Sequence, residues 1–134
     1  MIADGASSRG KERAMLDFKT DEDAGYIELT VDGSIDKAEY EAAVQAIEAL
    51  LETHTKINAV EVVRSFGGME PSLWWRDLSY GLSRLDAFGR CAVVTDNGWL
   101  GPMARFFAAF LSVELRTFDM KDLEAARSWA RGGL

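Results

Sequence analysis

The sequence predicts an α/β fold of about five strands and four helices. Short apolar segments that suit strands alternate along the chain with segments whose apolar residues recur every three or four positions. The clearest case is 90–134, where an apolar strand leads into an aromatic-rich helix. A second strand, Val113 to Phe118, then leads into a closing amphipathic helix.

The first half of the chain predicts a hairpin, a helix and a third strand. Strands at Ala14–Thr20 and Tyr26–Val31 flank the acidic turn 21–25, and apolar residues alternate with Glu28 and Thr30 as in a sheet with one wetter face. Asp36 followed by Glu39 predicts the start of a helix through a capping box. Its apolar stripe continues to Leu51, and the next strand is predicted over Ile57–Val63.

The second half predicts three further helices separated by two strands. Pro71 suits the first turn of a helix that reaches Leu85, and Cys91–Thr95 reads as a buried strand. Helices are then predicted over Trp99–Leu111 and Met120–Ala130, on either side of the strand Val113–Phe118.

Length and composition predict one domain over 13–134 behind a flexible tail, 1–12. With 134 residues, 48% of them apolar, the chain can bury a real core. It has no apolar run long enough for an integral membrane segment, and its first residues lack the apolar stretch of a secretory signal. One cysteine, Cys91, cannot form an internal disulfide, so the expected location is cytoplasmic.

The net charge of −7 is concentrated in the first half of the domain. Between residues 21 and 63 there are 11 acidic and 2 basic residues, whereas 64–134 is nearly neutral and contains 11 of the 14 aromatic residues. An acidic surface of this kind repels phosphate backbones, so no nucleic-acid partner is expected. An apolar ligand or partner surface is expected in the second half, unless the aromatic residues simply form the core.

Most of the chain resembles one known family. The matching segments are GYIELTVDGSIDKAEYEAAVQAIEALL, INAVEVVRSFGGMEPSLWWRDLSYGL, FGRCAVVTDNGW and VELRTFDMKDLEAARSWA. In this order they resemble the SpoIIAA-like group of the STAS superfamily, which contains anti-sigma-factor antagonists and cytoplasmic domains of sulfate transporters. The resemblance implies a mixed sheet with helices mainly on one face, and structural kinship with CRAL-TRIO lipid carriers. It implies a fold more than an activity.

The phosphorylation site that the resemblance implies is altered. Anti-sigma-factor antagonists have Asp-Ser-Ser/Thr-Gly before the helix that follows the third strand, where this chain has Met69-Glu70-Pro71-Ser72-Leu73. Pro71 has no hydroxyl and stands where the resemblance puts the phosphoacceptor. Ser72 is therefore a weak candidate for phosphorylation, and its alternative role is that of a residue at a helix start.

No residue pattern predicts catalysis, a metal site or a cofactor. His54 is the single histidine and is expected to be a polar residue at a helix end, and Cys91 is expected to be a buried structural thiol. One cysteine and one histidine without motif spacing do not form a metal site. Asp96 lies at the carboxyl end of a strand, where α/β proteins bind ligands, although on its own it is expected to cap the helix that follows.

The predicted helix Trp99–Leu111 gives the strongest indication of a ligand or partner surface. It has a stripe of large apolar residues, a side of small residues and one charge. The candidate surface residues are Trp75, Asp96, Trp99, Met103, Arg105, Phe106, Phe107 and Phe110. This surface could be a homodimer or protein interface, a pocket for an apolar small molecule, or part of the core under a neighbouring helix.

Two functions are consistent with these features. The first is a non-catalytic STAS-like binding or regulatory module, acting as a homodimer or with a protein partner. The second is a small carrier of an apolar or lipid-like ligand in the manner of CRAL-TRIO proteins, which the short chain makes less favourable because a large cavity would compete with the core.

Overall fold

A five-stranded mixed sheet forms the centre of the protein. The computed structural model describes residues 15–69, 87–96, 98 and 114–132. The strands lie side by side in chain order: β1 Leu16–Asp21, β2 Tyr26–Ile35, β3 Ile57–Met69, β4 Phe88–Thr95 and β5 Glu114–Phe118. β1 pairs antiparallel to β2, and every later pair is parallel. The predicted α/β class and mixed five-stranded sheet are confirmed.

The turn between β1 and β2 is closed by local hydrogen bonds and by one glycine. The Asp21 carboxylate accepts the Ala24 N–H at 3.2 Å, and Gly25 has a φ of 64°. A Cβ at Gly25 would lie 2.9 Å from Nδ1 of His54, whose Nε2 lies 2.5 Å from the Glu22 carbonyl oxygen. His54, which follows the first helix, therefore fastens the acidic turn to that end of the molecule.

The first helix, α1, spans Lys37–Leu51 and begins with the predicted capping box. The Asp36 side chain accepts the Glu39 N–H at 2.8 Å, and the Glu39 side chain accepts the Asp36 N–H at 3.2 Å. The other carboxylate oxygen of Glu39 accepts the N–H groups of Met15 and Leu16 at 2.5 and 3.2 Å. One side chain thus caps the helix and holds the start of β1.

The second described helix, α2, spans Leu123–Ala130 and follows a short 3-10 helix, Met120–Asp122. The sequence predicted one continuous helix from Met120, so its first turn is tighter than expected. Two α-helices are found where four were predicted. The other two predicted segments, 71–85 and 99–111, lie outside the described residues.

The two helices cover opposite faces of the sheet, because successive side chains of a strand point to opposite sides. The α1 side buries Ile27, Ile57 and Ala59 against Ile47 and Leu50, and Val31 and Val63 against Tyr40. The α2 side buries Tyr26, Val60, Val62, Ala92 and Val94 against Ala126, Trp129 and Ala130. Whether the helices lie mainly on one face, as the resemblance implied, depends on the segments that are not described.

Within the described ranges, no helix is both long and apolar enough to cross a membrane. The longest of them, α1, has 15 residues and is amphipathic, with one buried apolar side and several charged positions.

Candidate functional site

A polar cleft lies between the β1–β2 hairpin and α2, and we call it the hairpin–α2 cleft. It encloses about 680 Å³ and is lined by Lys19, Thr20, Asp21, Glu22, Asp23, Tyr26, Glu28, Arg127 and Arg131. Seven of these nine residues are charged, so the cleft suits a polar ligand better than an apolar one.

The floor of the cleft is a buried ion pair that joins β2 to α2. The strand alternation directs Glu28 towards α2, where its side chain is only 9% exposed. Its two carboxylate oxygens accept Nε and Nη2 of Arg127 at 2.8 and 2.7 Å, a two-pronged geometry that fixes both side chains. The Tyr26 hydroxyl donates to the same carboxylate at 2.9 Å. Sequence alternation placed Glu28 on a wetter face, which is wrong because α2 covers that face and supplies the cation.

These contacts fix the charge of each group on the floor. The hydrogen bonds from Arg127 lower the pKa of Glu28 below its usual value, against the opposing effect of burial. Burial, and then the hydrogen bond to Glu28, raise the pKa of Tyr26. The two carboxylates that pair with Arg127 in turn raise the pKa of Arg127. Glu28 has the larger effect, and Glu124 is the second partner. Near neutral pH the floor therefore holds an ionised Glu28 and a neutral Tyr26.

A second, exposed ion pair closes one side of the cleft. Arg131 Nη1 donates to the Asp21 carboxylate at 2.9 Å, and this hydrogen bond lowers the pKa of Asp21. The same guanidinium lies over the Tyr26 ring, 4.1 Å from its centroid. The hairpin and α2 are thus joined twice, once at the floor and once at the rim. The charged side chains of Lys19, Glu22 and Asp23 complete the rim.

Arginine side chains also hold the far side of α2. Arg90 and Arg116 lie over the Trp129 ring, 5.1 and 5.4 Å from its centroid. Arg90 donates to the Trp129 carbonyl oxygen at 2.7 Å, and Trp129 contacts Phe118 with ring centroids 6.1 Å apart. These contacts fix α2 against β4 and β5, so the wall of the hairpin–α2 cleft that α2 provides is well positioned.

Cys91 and Glu28 are each held in one protonation state near neutral pH. Cys91 is partly buried, and burial raises its pKa to about 12, so its thiol stays protonated. Glu28 is held as a carboxylate by Arg127 and is a poor proton acceptor for the same reason. Across 15–69, 87–96, 98 and 114–132, no three His, Cys, Asp or Glu side chains converge as a metal site would require.

One of the candidate residues named from the sequence lies in the described ranges. Asp96 follows β4, and its carboxylate accepts the Met120 N–H at 3.0 Å. It therefore caps the short 3-10 helix after β5. The remaining candidates lie outside the described residues, and the predicted aromatic surface stays a prediction: Ser72, Trp75, Trp99, Met103, Arg105, Phe106, Phe107 and Phe110.

The sequence contains one indication of the hairpin–α2 cleft, which is the position of Arg127. Arg127 shares a helical face with Leu123 and Ala130, four residues before and three residues after it. A charged residue on the inward face of a closing helix indicates an acidic partner in the sheet. That partner, Glu28, is 99 residues away in sequence. Glu28 alternates with apolar neighbours, as any exposed residue of a strand would, so its own pattern does not indicate burial.

Comparisons with known proteins agree with the fold. A family model described as SpoIIAA-like matches residues 26–131. A crystal structure of an uncharacterized protein from the DUF3478 family with a SpoIIAA-like fold, from Shewanella loihica PV-4, superimposes with a TM-score of 0.72. It shares 21% identity over 93% of this chain and 99% of its own. No curated protein matches the chain in sequence. The matched range includes β2, α1, the later parallel strands and all of α2, and the chain belongs to the SpoIIAA-like family.

Proposed function

We propose that this protein is a non-catalytic binding or regulatory module that holds a charged group of a partner in the hairpin–α2 cleft. The observation that supports this proposal is the ion pair between Glu28 and Arg127 at the floor of the cleft, beneath a rim of charged side chains. Glu28, Arg127 and Tyr26 satisfy one another, so the floor needs no rearrangement before a ligand enters. Preformed sites of this kind lose little conformational entropy on binding.

The rim supplies the groups that would meet the partner. Among the described residues, the side chains of Lys19, Glu22 and Asp23 make no ion pair, and all three are exposed. Glu22 and Asp23 outnumber Lys19 at the rim, and the segment that contains the turn is acidic, since residues 21–63 contain 11 acidic and 2 basic side chains. A partner that presents lysine or arginine side chains would therefore be attracted towards the cleft and approach it in a favourable orientation.

Non-catalytic action is supported by the fixed protonation states. A general acid or base works best when its pKa lies near the operating pH. The pKa values of the floor groups are moved away from neutral pH instead. The pKa of the Glu28 carboxyl is lowered, and the pKa of the Tyr26 phenol is raised. The cleft is better suited to recognition than to proton transfer.

The carrier alternative requires an apolar cavity. The sequence places the side chains for such a cavity in 71–85 and 99–111, outside the described residues. The described cleft has a mostly charged lining, which supports the binding module over the carrier.

The proposal can be tested by NMR titration of ¹⁵N-labelled protein with three probes. These are a hexalysine peptide, a hexaglutamate peptide and a fluorescent fatty acid. We expect hexalysine to shift the amide signals of the hairpin turn and of α2, and hexaglutamate to shift them much less. A double variant, Glu22→Gln with Asp23→Asn, should weaken the hexalysine response, while Glu41→Gln on α1 should leave it unchanged.

Two outcomes would contradict the proposal. One is a hexalysine response that is spread over the whole acidic surface and is equal in the rim and α1 variants. The other is saturable binding of the fatty acid without shifts at the hairpin or α2, which would favour the carrier.

A further inference from the structure

We propose that two copies of the chain associate through the outer edge of β5, and this inference is independent of the hairpin–α2 cleft. β5 is the last strand of the sheet, and in the part of the chain that the structure describes only β4 pairs with it. The outward N–H and C=O groups of an edge strand can form a ladder with another strand.

The charges on β5 match those of a second copy in one antiparallel register. If the two-fold axis passes through Leu115, Glu114 lies opposite the partner's Arg116 and Arg116 lies opposite the partner's Glu114. Opposite residues of an antiparallel pair point to the same face with Cβ atoms about 5 Å apart, so both ion pairs can form. If the axis passed through Glu114 or Arg116 instead, that residue would lie opposite its own copy, and two like charges would face each other. The strand therefore favours one register of self-pairing.

The side chains involved are already placed for such contacts. Arg116 is held over the rings of Phe118 and Trp129, 5.3 and 5.4 Å from their centroids, which limits the entropy lost on pairing. Glu114 is 63% exposed, and its carboxylate is 3.7 Å from Nε of Arg90, too long for a strong hydrogen bond. That carboxylate is therefore open to a second cation.

The apolar residue on the axis points to the other face. Leu115 lies beside Cys91 in the ladder with β4, on the α1 side of the sheet, and is partly buried. Pairing would place it directly against the partner's Leu115 and remove apolar surface from water. The two five-stranded sheets would become one continuous sheet of ten strands. A contact this short would be weak and concentration-dependent.

A charge-swap experiment tests the interface and its register together. Sedimentation velocity over a concentration series that reaches the millimolar range should show the wild type forming dimers. Glu114→Arg and Arg116→Glu should each weaken dimerisation roughly tenfold, because each replaces two attractive pairs by two repulsive ones. An equimolar mixture of the two variants should form heterodimers, and the double variant with both changes should dimerise like the wild type. Arg64→Glu, an equal charge change on the exposed surface of β3, should have no effect.

The mixture also controls for folding. The Arg116→Glu variant loses a contact with Trp129, and it can form heterodimers only if it is still folded. Should that variant unfold, Glu114→Arg still decides the matter, because it leaves the Trp129 contacts in place. A monomeric wild type, a dimer unaffected by Glu114→Arg, or variants that do not associate when mixed would each overturn the proposal. A dimer that is lost in Ala108→Glu and kept in both β5 variants would assign the contact to the predicted 99–111 helix instead.

Discussion

Replacing Arg127 with methionine should cost this protein more stability than any other single loss of charge on the α2 surface. The substitution keeps much of the aliphatic volume but removes the guanidinium that pairs with Glu28. Glu28 is 7% exposed, so its carboxylate would retain the Tyr26 hydroxyl and little water. Breaking a buried pair in this way costs about 3–5 kcal/mol.

The expected loss lies near the lower end of that range, because the Arg127 side chain is 31% exposed and water can partly replace it. We expect about 3 kcal/mol at neutral pH. For a domain of this length, that corresponds to a melting temperature lower by roughly 9–15 °C. Urea unfolding followed by circular dichroism would measure the free energy, and calorimetry would measure the melting temperature. Arg131→Met, which removes the exposed pair with Asp21, is the matched control and should cost clearly less.

The pH dependence gives a second readout of the same pair. In the wild type the pKa of Glu28 is lowered by Arg127, so the stability that the pair contributes is present above the ordinary glutamate pKa of about 4.3. That stability is lost as the pH falls through the lower pKa of the folded state. In Arg127→Met, burial without a cation should instead raise the pKa of Glu28 and favour its protonated form. The stability difference between the two proteins should therefore shrink on acidification.

A compensating double variant separates the ion pair from simple packing loss. Glu28→Gln combined with Arg127→Met removes both charges and leaves Tyr26 an acceptor, so it should be more stable than Arg127→Met alone at neutral pH. A loss below about 1 kcal/mol for Arg127→Met, unchanged between neutral and acidic pH, would refute the reasoning. Glu28 would then be hydrated far better than its burial indicates.

Three further substitutions have expected effects that the same unfolding assays can measure. Asp36→Ala removes the side-chain half of the capping box and should cost about 1 kcal/mol, and a wild-type-like value would show that Glu39 suffices. Ile27→Ala opens a cavity at a fully buried position and should cost about 2–5 kcal/mol, whereas a loss under 1 kcal/mol would contradict the tight core on the α1 side. Gly25→Ala forces a side chain into a left-handed conformation close to His54 and should cost about 1–3 kcal/mol, and an unchanged stability would mean that the turn relaxes freely.

The sequence predicted those parts of the fold that depend on neighbouring residues. Asp36 and Glu39 are three positions apart, so the start of α1 is a local property and is confirmed. The alternation from Ile27 to Val31 likewise predicted β2, because its period is that of a strand. Family resemblance then predicted the mixed sheet, which no local pattern specifies.

Features that depend on distant partners were missed. β3 was predicted to end at Val63 but continues to Met69, because Ser65 and Gly68 pair with Asp32 and Ser34 of β2 despite their weak strand pattern. Asp96 was expected to cap the helix directly after it, whereas the N–H that it accepts in the described residues belongs to Met120, 24 positions later. The burial of Glu28 depends on Arg127, which is 99 residues away. Of these pairings, only that of Arg127 leaves a short-range indication, its position on the inward face of α2.

The agreement between strand order and chain order has a consequence for biosynthesis. Each new strand adds to the one made just before it, so the sheet can grow while the ribosome is still at work. The side that buries Val60, Val62 and Val94 gains the cover that α2 provides only after all five described strands have been made, since α2 begins 29 residues after Val94. Until then the nascent chain lacks the cover of α2 over this row of β-branched side chains. The arginines of α2 thus fasten a helix that is made after every described strand it helps to cover.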